Sequence, residues 1–247
     1  MTASSIRHII FDLGGTLMHS REDWAPVFAR ADLALTGKLK ENDVELDAIV
    51  FRDRLHEYYE QRDHDYQETT YHLVLRELLK DLGYAEVAEP ILRSALDAMY
   101  TVTQTNWLLE DDTIATIQKL KSNQYHLGIF SNAGDDKDVQ ELIENFGIRS
   151  YFDFVLTSAA AYYRKPHLRA FEIALAQWSI PPEDAVMIGD SLEADIRGAK
   201  RLNMKTIWLT RRAQFNADLE QRIQPDFSLS SLNDLLPLLE QINLTRT

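Results

Sequence analysis

Short polar clusters interrupt otherwise apolar stretches: Asp12-Leu13-Gly14-Gly15-Thr16, Ser131-Asn132, Arg164-Lys165-Pro166 and Gly189-Asp190-Ser191, with Asp195 following. Asp12, Asp190 and Asp195 offer hard carboxylate oxygens, the donors that Mg²⁺ prefers. Ser131, Asn132 and Lys165 offer a hydroxyl, an amide and an ammonium, which suit phosphoryl oxygens. Brought together, the set would hold an oxyanion beside a divalent cation. Taken singly, each has a plainer role. Ser131-Asn132 is ordinary turn chemistry, and Lys165 precedes a proline at a helix start. Asp190 or Ser191 would cap a helix, and Asp195 would favour its positive end.

The elements around them decide between these roles. Apolar runs at 6–11, 126–130, 152–157, 185–188 and 205–209 read as short buried strands. Helical stretches at 136–146, 167–178 and 192–202 alternate with them, Gly147 standing as a C-terminal stop. Such alternation predicts an α/β fold with a doubly wound parallel sheet. In such a sheet ligands bind at the carboxyl ends of the strands, which is where the polar clusters fall. From about residue 22 to 107 no strand is convincing. Helical spacing dominates, as in Leu73, Leu75, Leu78 and Leu79, with breaks near 35–37, 63–65, 82–84 and 89–90, so four or so helices are expected. The first strand belongs by type with the second half. Residues 1–18 and 108–247 therefore read as the core, and 19–107 as an inserted helical domain.

The chain has 247 residues, 45% of them hydrophobic, enough to fill a sizeable core. Its 26 basic against 39 acidic residues give a net charge of −13, which disfavours nucleic acid and anionic membrane surfaces as partners. The absence of cysteine excludes disulfides and thiolate chemistry. No signal-peptide pattern or membrane-length apolar run is present, so a cytoplasmic globular protein is expected. Oligomeric state is not legible.

Four motifs, in order, resemble those of the haloacid dehalogenase superfamily. They are Phe11-Asp12-Leu13-Gly14-Gly15-Thr16-Leu17, Phe130-Ser131-Asn132, Tyr163-Arg164-Lys165-Pro166, and the run from Ile188-Gly189-Asp190-Ser191 through Asp195 to Gly198-Ala199. The resemblance covers the whole chain and makes the helical insertion a cap. It implies a Mg²⁺-dependent hydrolase, phosphatase-like, acting on a small phosphorylated metabolite. Asp12 is then nucleophile and metal ligand, Gly14 a backbone ligand, and Asp190 and Asp195 complete the metal site. Ser131, Asn132 and Lys165 hold the phosphoryl oxygens. Cap residues in 56–72, rich in Tyr, Arg and His, are candidates for a closing face, or simply a solvated one.

One departure matters. The family's phosphatases usually carry a second Asp two residues after the nucleophile, which protonates the leaving group and then activates water. Here that residue is Gly14. General acid–base catalysis contributes roughly 10²–10⁴-fold, or ~3–5 kcal/mol, so a slow phosphatase is expected unless another group moves the proton. His19 is nearest in sequence. A glycine also permits backbone conformations that Asp tolerates poorly. Two alternatives stay open: a non-catalytic descendant that binds a phosphorylated ligand or a partner, and a haloacid dehalogenase, whose halide needs no proton but which would leave the Asp190/Asp195 pair idle.

Overall fold

Three consecutive apolar residues, Ile9, Ile10 and Phe11, are fully buried on both faces of a sheet, which accounts for an uninterrupted apolar run where one-sided burial would alternate. The computed structural model describes residues 5–214 and 216–245. In chain order the elements begin with β1 (His8–Phe11) and β2 (Met18–Ser20). Four helices follow: α1 (Trp24–Lys40), α2 (Ala48–Asp65), α3 (Tyr71–Asp81) and α4 (Glu89–Gln104). Then come β3 (Trp107–Leu109), α5 (Thr113–Ser122), β4 (His126–Ser131), α6 (Asp136–Asn145), β5 (Phe154–Thr157), α7 (Ser158–Ala161) and α8 (Leu168–Ala176). The last part holds β6 (Ala185–Gly189), α9 (Arg197–Arg201), β7 (Lys205–Leu209), α10 (Ala217–Ile223), β8 (Phe227–Leu229) and α11 (Leu235–Leu244).

Six strands form one parallel sheet in the order β5-β4-β1-β6-β7-β8, the α/β architecture that the alternating pattern predicts. Side chains alternate across it. Ile9 and Phe11 join a cluster with Leu127, Ile129, Val186 and Ile188 on one face. Ile10 joins Phe130, Met187 and Phe171 on the other. At the far end of β1 the Asn243 side chain pairs with both backbone groups of Ile6, at 2.7 and 3.1 Å.

Helices α1–α4 have an apolar cluster of their own, built from residues such as Leu35, Phe51, Leu75 and Leu96. The break expected near 35–37 does not occur. Val27, Ala31, Leu35 and Leu39 lie one turn apart on a single buried face, and that burial outweighs the roughly 1 kcal/mol a helical glycine costs at Gly37. The helix expected over 192–202 is two pieces, a π-type turn at Leu192–Ile196 and then α9. The strand expected from 152 starts at Phe154, after a single 3₁₀ turn.

Several contacts join the helical segment to the sheet region, among them Gln104 to Asp138 and Arg93 to Asp135. β2 and β3 pair antiparallel, Ser20 opposite Trp107. Farther along, Glu68 accepts a hydrogen bond from Ser158 Oγ (2.5 Å) and lies 3.2 Å from Arg164 and 3.5 Å from Arg62. Among the described residues no helix is long and apolar enough to cross a membrane.

Candidate active site

The chain runs outward from β4 to β5 and then crosses back to β6 on the other side of β1. A parallel sheet opens a crevice where its winding reverses. Asp12 stands there, its backbone N–H donating to Ile188 O (2.8 Å). The turn that follows needs Gly15, whose φ is +82° and whose Cβ position is filled by the Asp190 carboxyl group. Thr16 Oγ1 donates to Asp12 Oδ2 at 3.3 Å.

Lys165 is the hub. Its Nζ donates to Asp12 Oδ1 (2.6 Å) and Phe130 O (2.7 Å), and lies 2.7 Å from Asp195 Oδ1. Asn132 fixes it: its Oδ1 accepts from Lys165 N–H (2.8 Å) while its Nδ2 donates to Lys165 O (3.0 Å). The Asn132 amide is therefore engaged by backbone at both ends. Asp195 Oδ2 accepts from Ser191 N–H (3.0 Å), and the Asp190 carbonyl accepts from Trp208 Nε1 (2.8 Å).

Burial works against the Lys165 charge, but Asp12 and Asp195 outweigh it and hold its pKa above the usual range. Burial pushes the Asp190 carboxyl up, and the charges of Asp12 and Asp195 push it further. Asp195 is also raised by burial, Lys165 opposing and Asp12 adding. One ligand atom each from Asp12, Asp190 and Asp195 falls within 4.8 Å of the others. Crowded, desolvated hard oxygens with excess negative charge are a donor set that fits a divalent cation.

A cavity of about 310 Å³ is lined by Asp12, Gly14, Ser131, Asn132, Lys165, Asp190 and Asp195, so every residue to which the resemblance assigns a nucleophile, metal or phosphate role borders one space, while no residue of 56–72 lines it. Nor does His19: its Nδ1 lies 3.3 Å from Glu110, which Arg212 also holds, and it lines no part of this cavity. Trp107 covers Gly14. A Cβ there would sit 2.9 Å from Trp107 Cη2. Gly14 is not among the positive-φ glycines, so the obstacle to a side chain is this ring and not backbone conformation. The sequence reading missed Trp107 and Asp138, which also line the cavity. The one sequence cue for Trp107 is its place beside the inferred domain boundary. Asp138 hides in an acidic run, Asp135, Asp136 and Asp138, that reads as helix N-terminal charge.

Residues 6–203 match the model of a family described as haloacid dehalogenase-like hydrolase. The chain belongs to the haloacid dehalogenase-like hydrolases. Over 128 residues, 52% of this chain and 53% of the relative, it is 33% identical to glyceraldehyde 3-phosphate phosphatase of Pyrococcus furiosus. Over 138 residues, 56% of this chain and 54% of the relative, it is 30% identical to haloacid dehalogenase-like hydrolase domain-containing protein 3 of Bos taurus. The match spans about half the length of these relatives. Among solved structures, 2-haloacid dehalogenase from Pseudomonas syringae pv. Tomato DC3000 superposes with a TM-score of 0.73 at 23% identity, covering 96% of this chain and 99% of that one. The HAD phosphatase from Thermococcus onnurineus gives 0.63 at 22% identity, covering 95% and 98%. Identities this low speak for the shared fold alone.

Proposed function

We propose that this hydrolase is a Mg²⁺-dependent phosphohydrolase of small phosphorylated metabolites, working through an aspartyl-phosphate on Asp12. The observation that carries the reading is the placement of Asp190 and Asp195 beside Asp12, with ligand atoms within 4.8 Å. A metal-independent displacement of halide would give that acidic pair no task. Asp12, Asp190, Asp195 and the backbone carbonyl of Gly14 would hold the cation, which when bound offsets charge on the phosphoryl oxygens.

Asp12 attacks phosphorus. Lys165, 2.6 Å from Asp12 Oδ1, offsets charge beside the nucleophile and offers its ammonium to a phosphoryl oxygen. Ser131, at the end of β4, donates from the neighbouring strand. Asn132 keeps the Lys165 backbone in register, beyond the phosphate-holding role its type suggests. Positioning and electrostatics of this kind supply most of phosphoryl-transfer catalysis. Residues 19–107 act as a cap over the core formed by 1–18 and 108–247, and the net charge of −13 fits a cytoplasmic enzyme of metabolites better than one of nucleic acid or membranes.

The test is hydrolysis of p-nitrophenyl phosphate with and without Mg²⁺, followed by a screen that includes glyceraldehyde 3-phosphate, for which several relatives are named. Turnover should require Mg²⁺ and vanish in Asp12→Asn. Metal-free turnover of a 2-haloacid instead would overturn the reading.

A further inference from the structure

Phosphohydrolase chemistry on Asp12 leaves a proton unassigned. An alkyl phosphate departs as an alkoxide unless protonated, and the water that later attacks the aspartyl-phosphate must lose a proton on that same face. Gly14 has no side chain, and Trp107 takes the space beside it. Beyond Lys165 and the three clustered carboxylates, one titratable side chain among the described residues lines the cavity, Asp138.

We propose that Asp138 is the general acid and base of this enzyme, doing from α6 what the residue at position 14 cannot. The inference rests on the phosphohydrolase reading. Its support is position. Asp138 borders the cavity that holds Asp12 and also a second cavity of about 340 Å³, walled by Tyr71, Tyr100 and Trp107. It stands where the two spaces meet, with the phosphoryl site on one side and room for a leaving group on the other.

The local structure fixes it there. Asp135 caps α6, its Oδ1 accepting from Asp138 N–H at 3.1 Å. Gln104 Nε2, from α4, donates to Asp138 Oδ1 at 2.8 Å, while Oδ2 accepts no hydrogen bond among the described residues. The charged and titratable groups around it are Asp135, Lys137 and Glu141 on its own helix, and Arg93 and Tyr100 on α4. Lys137 is turned to Asp97 and Glu141, and Arg93 to Asp97 and Asp135. Burial raises the Asp138 carboxyl to about 7, with Gln104 opposing, Asp135 adding and Arg93 opposing. A group half-protonated at neutral pH both gives and takes a proton readily.

The steps balance. As Asp12 Oδ bonds to phosphorus, the P–O bond to the leaving group breaks and its electron pair takes the Asp138 proton, releasing an alcohol. Water then attacks phosphorus, Asp138 takes the water proton, and the Asp12–phosphorus bond breaks to release phosphate. Asp138 ends protonated, as it began.

The test compares Asp138→Asn with the parent on p-nitrophenyl phosphate and on glycerol phosphate, with Mg²⁺. In the variant, kcat/KM for the alkyl ester should fall by about 10²-fold or more. The aryl ester, whose phenolate leaves unaided, should show a burst of one p-nitrophenol per enzyme and then slow turnover, because the second step lacks its base. The parent's alkyl-ester activity should fall above about pH 7, and that limb should vanish in Asp138→Asn but persist in Asp138→Glu, which also guards against misfolding. Equal losses on both esters without a burst, or a limb unchanged in the Asn variant, would overturn the proposal while leaving Asp12 chemistry intact. Turnover that survives Asp12→Asn overturns the phosphohydrolase reading itself.

Discussion

On the sheet side of the cavity, polar side chains are tied to backbone: Asn132 to Lys165, Lys165 to Phe130, Asp195 to Ser191. On the helical side, around the second cavity, the lining is ring against ring. Trp107 lies 4.9 Å from Trp24, and Tyr71 stacks on Tyr100 at 6.3 Å. The first wall draws its precision from parallel strands whose register cannot slip without exposing the core. The second draws its shape from side-chain packing, which substitution can redraw without touching a strand. Under the proposed function, chemistry would belong to the sheet ends and selectivity to the rings of the helical side. Trp107 and Asp138 sit on the border between the two.

The sharpest way to break this division is to remove the hub. Lys165→Met should cost about 3–5 kcal/mol at pH 7.5, because it leaves buried carboxylates unpaired. Asp195, raised to about 6 even with Lys165 beside it, would take up a proton as pH falls, so the loss should shrink at pH 5. Urea denaturation at both pH values decides it. A uniform loss would mean that Lys165 contributes packing and not charge.

On the border, Gly14→Asp should destabilise by about 1–3 kcal/mol through overpacking against Trp107. Trp107→Val in the same chain should recover much of that. If the single variant melts with the parent, the ring yields freely and the two walls are less distinct than described.

The smallest effect concerns Asp138. Its folded pKa, about 7, exceeds its unfolded one, so the native state holds the extra proton and stability falls as pH rises between about 4 and 7. Asp138→Asn should flatten that slope and gain about 1 kcal/mol at pH 8, a figure discounted for partial solvation. Thermal melts from pH 5 to pH 8 read the slope directly.

What was legible in the sequence follows from range. Strands buried on both faces announce themselves as apolar runs, and polar residues at their ends are placed by topology alone. That is why Asp12, Ser131, Lys165 and Asp190 can be gathered from sequence alone. Short elements with mixed burial left no such mark: β3 and β8 have three half-exposed or exposed residues each. The engagement of Asn132 by Lys165 depends on a loop path that no local pattern encodes. Nor does spacing reveal that Trp107 returns over Gly14, since the β2–β3 pairing that brings it back spans the whole helical segment.

The central place of β1 also governs how the chain comes together. Its partners pair at His126 and Ala185, and Ile6 is gripped by Asn243, 237 residues on. Contacts of such range close slowly. On the ribosome, Ile9, Ile10 and Phe11 emerge long before β4 and β6, their partners in the sheet, whereas the apolar cluster of α1–α4 draws on residues no later than Val102. The helical segment can collapse co-translationally around its own core while the strand bearing Asp12 waits. The nascent chain thus passes through a stage in which its central apolar strand is unpaired, the species on which aggregation and chaperone capture act.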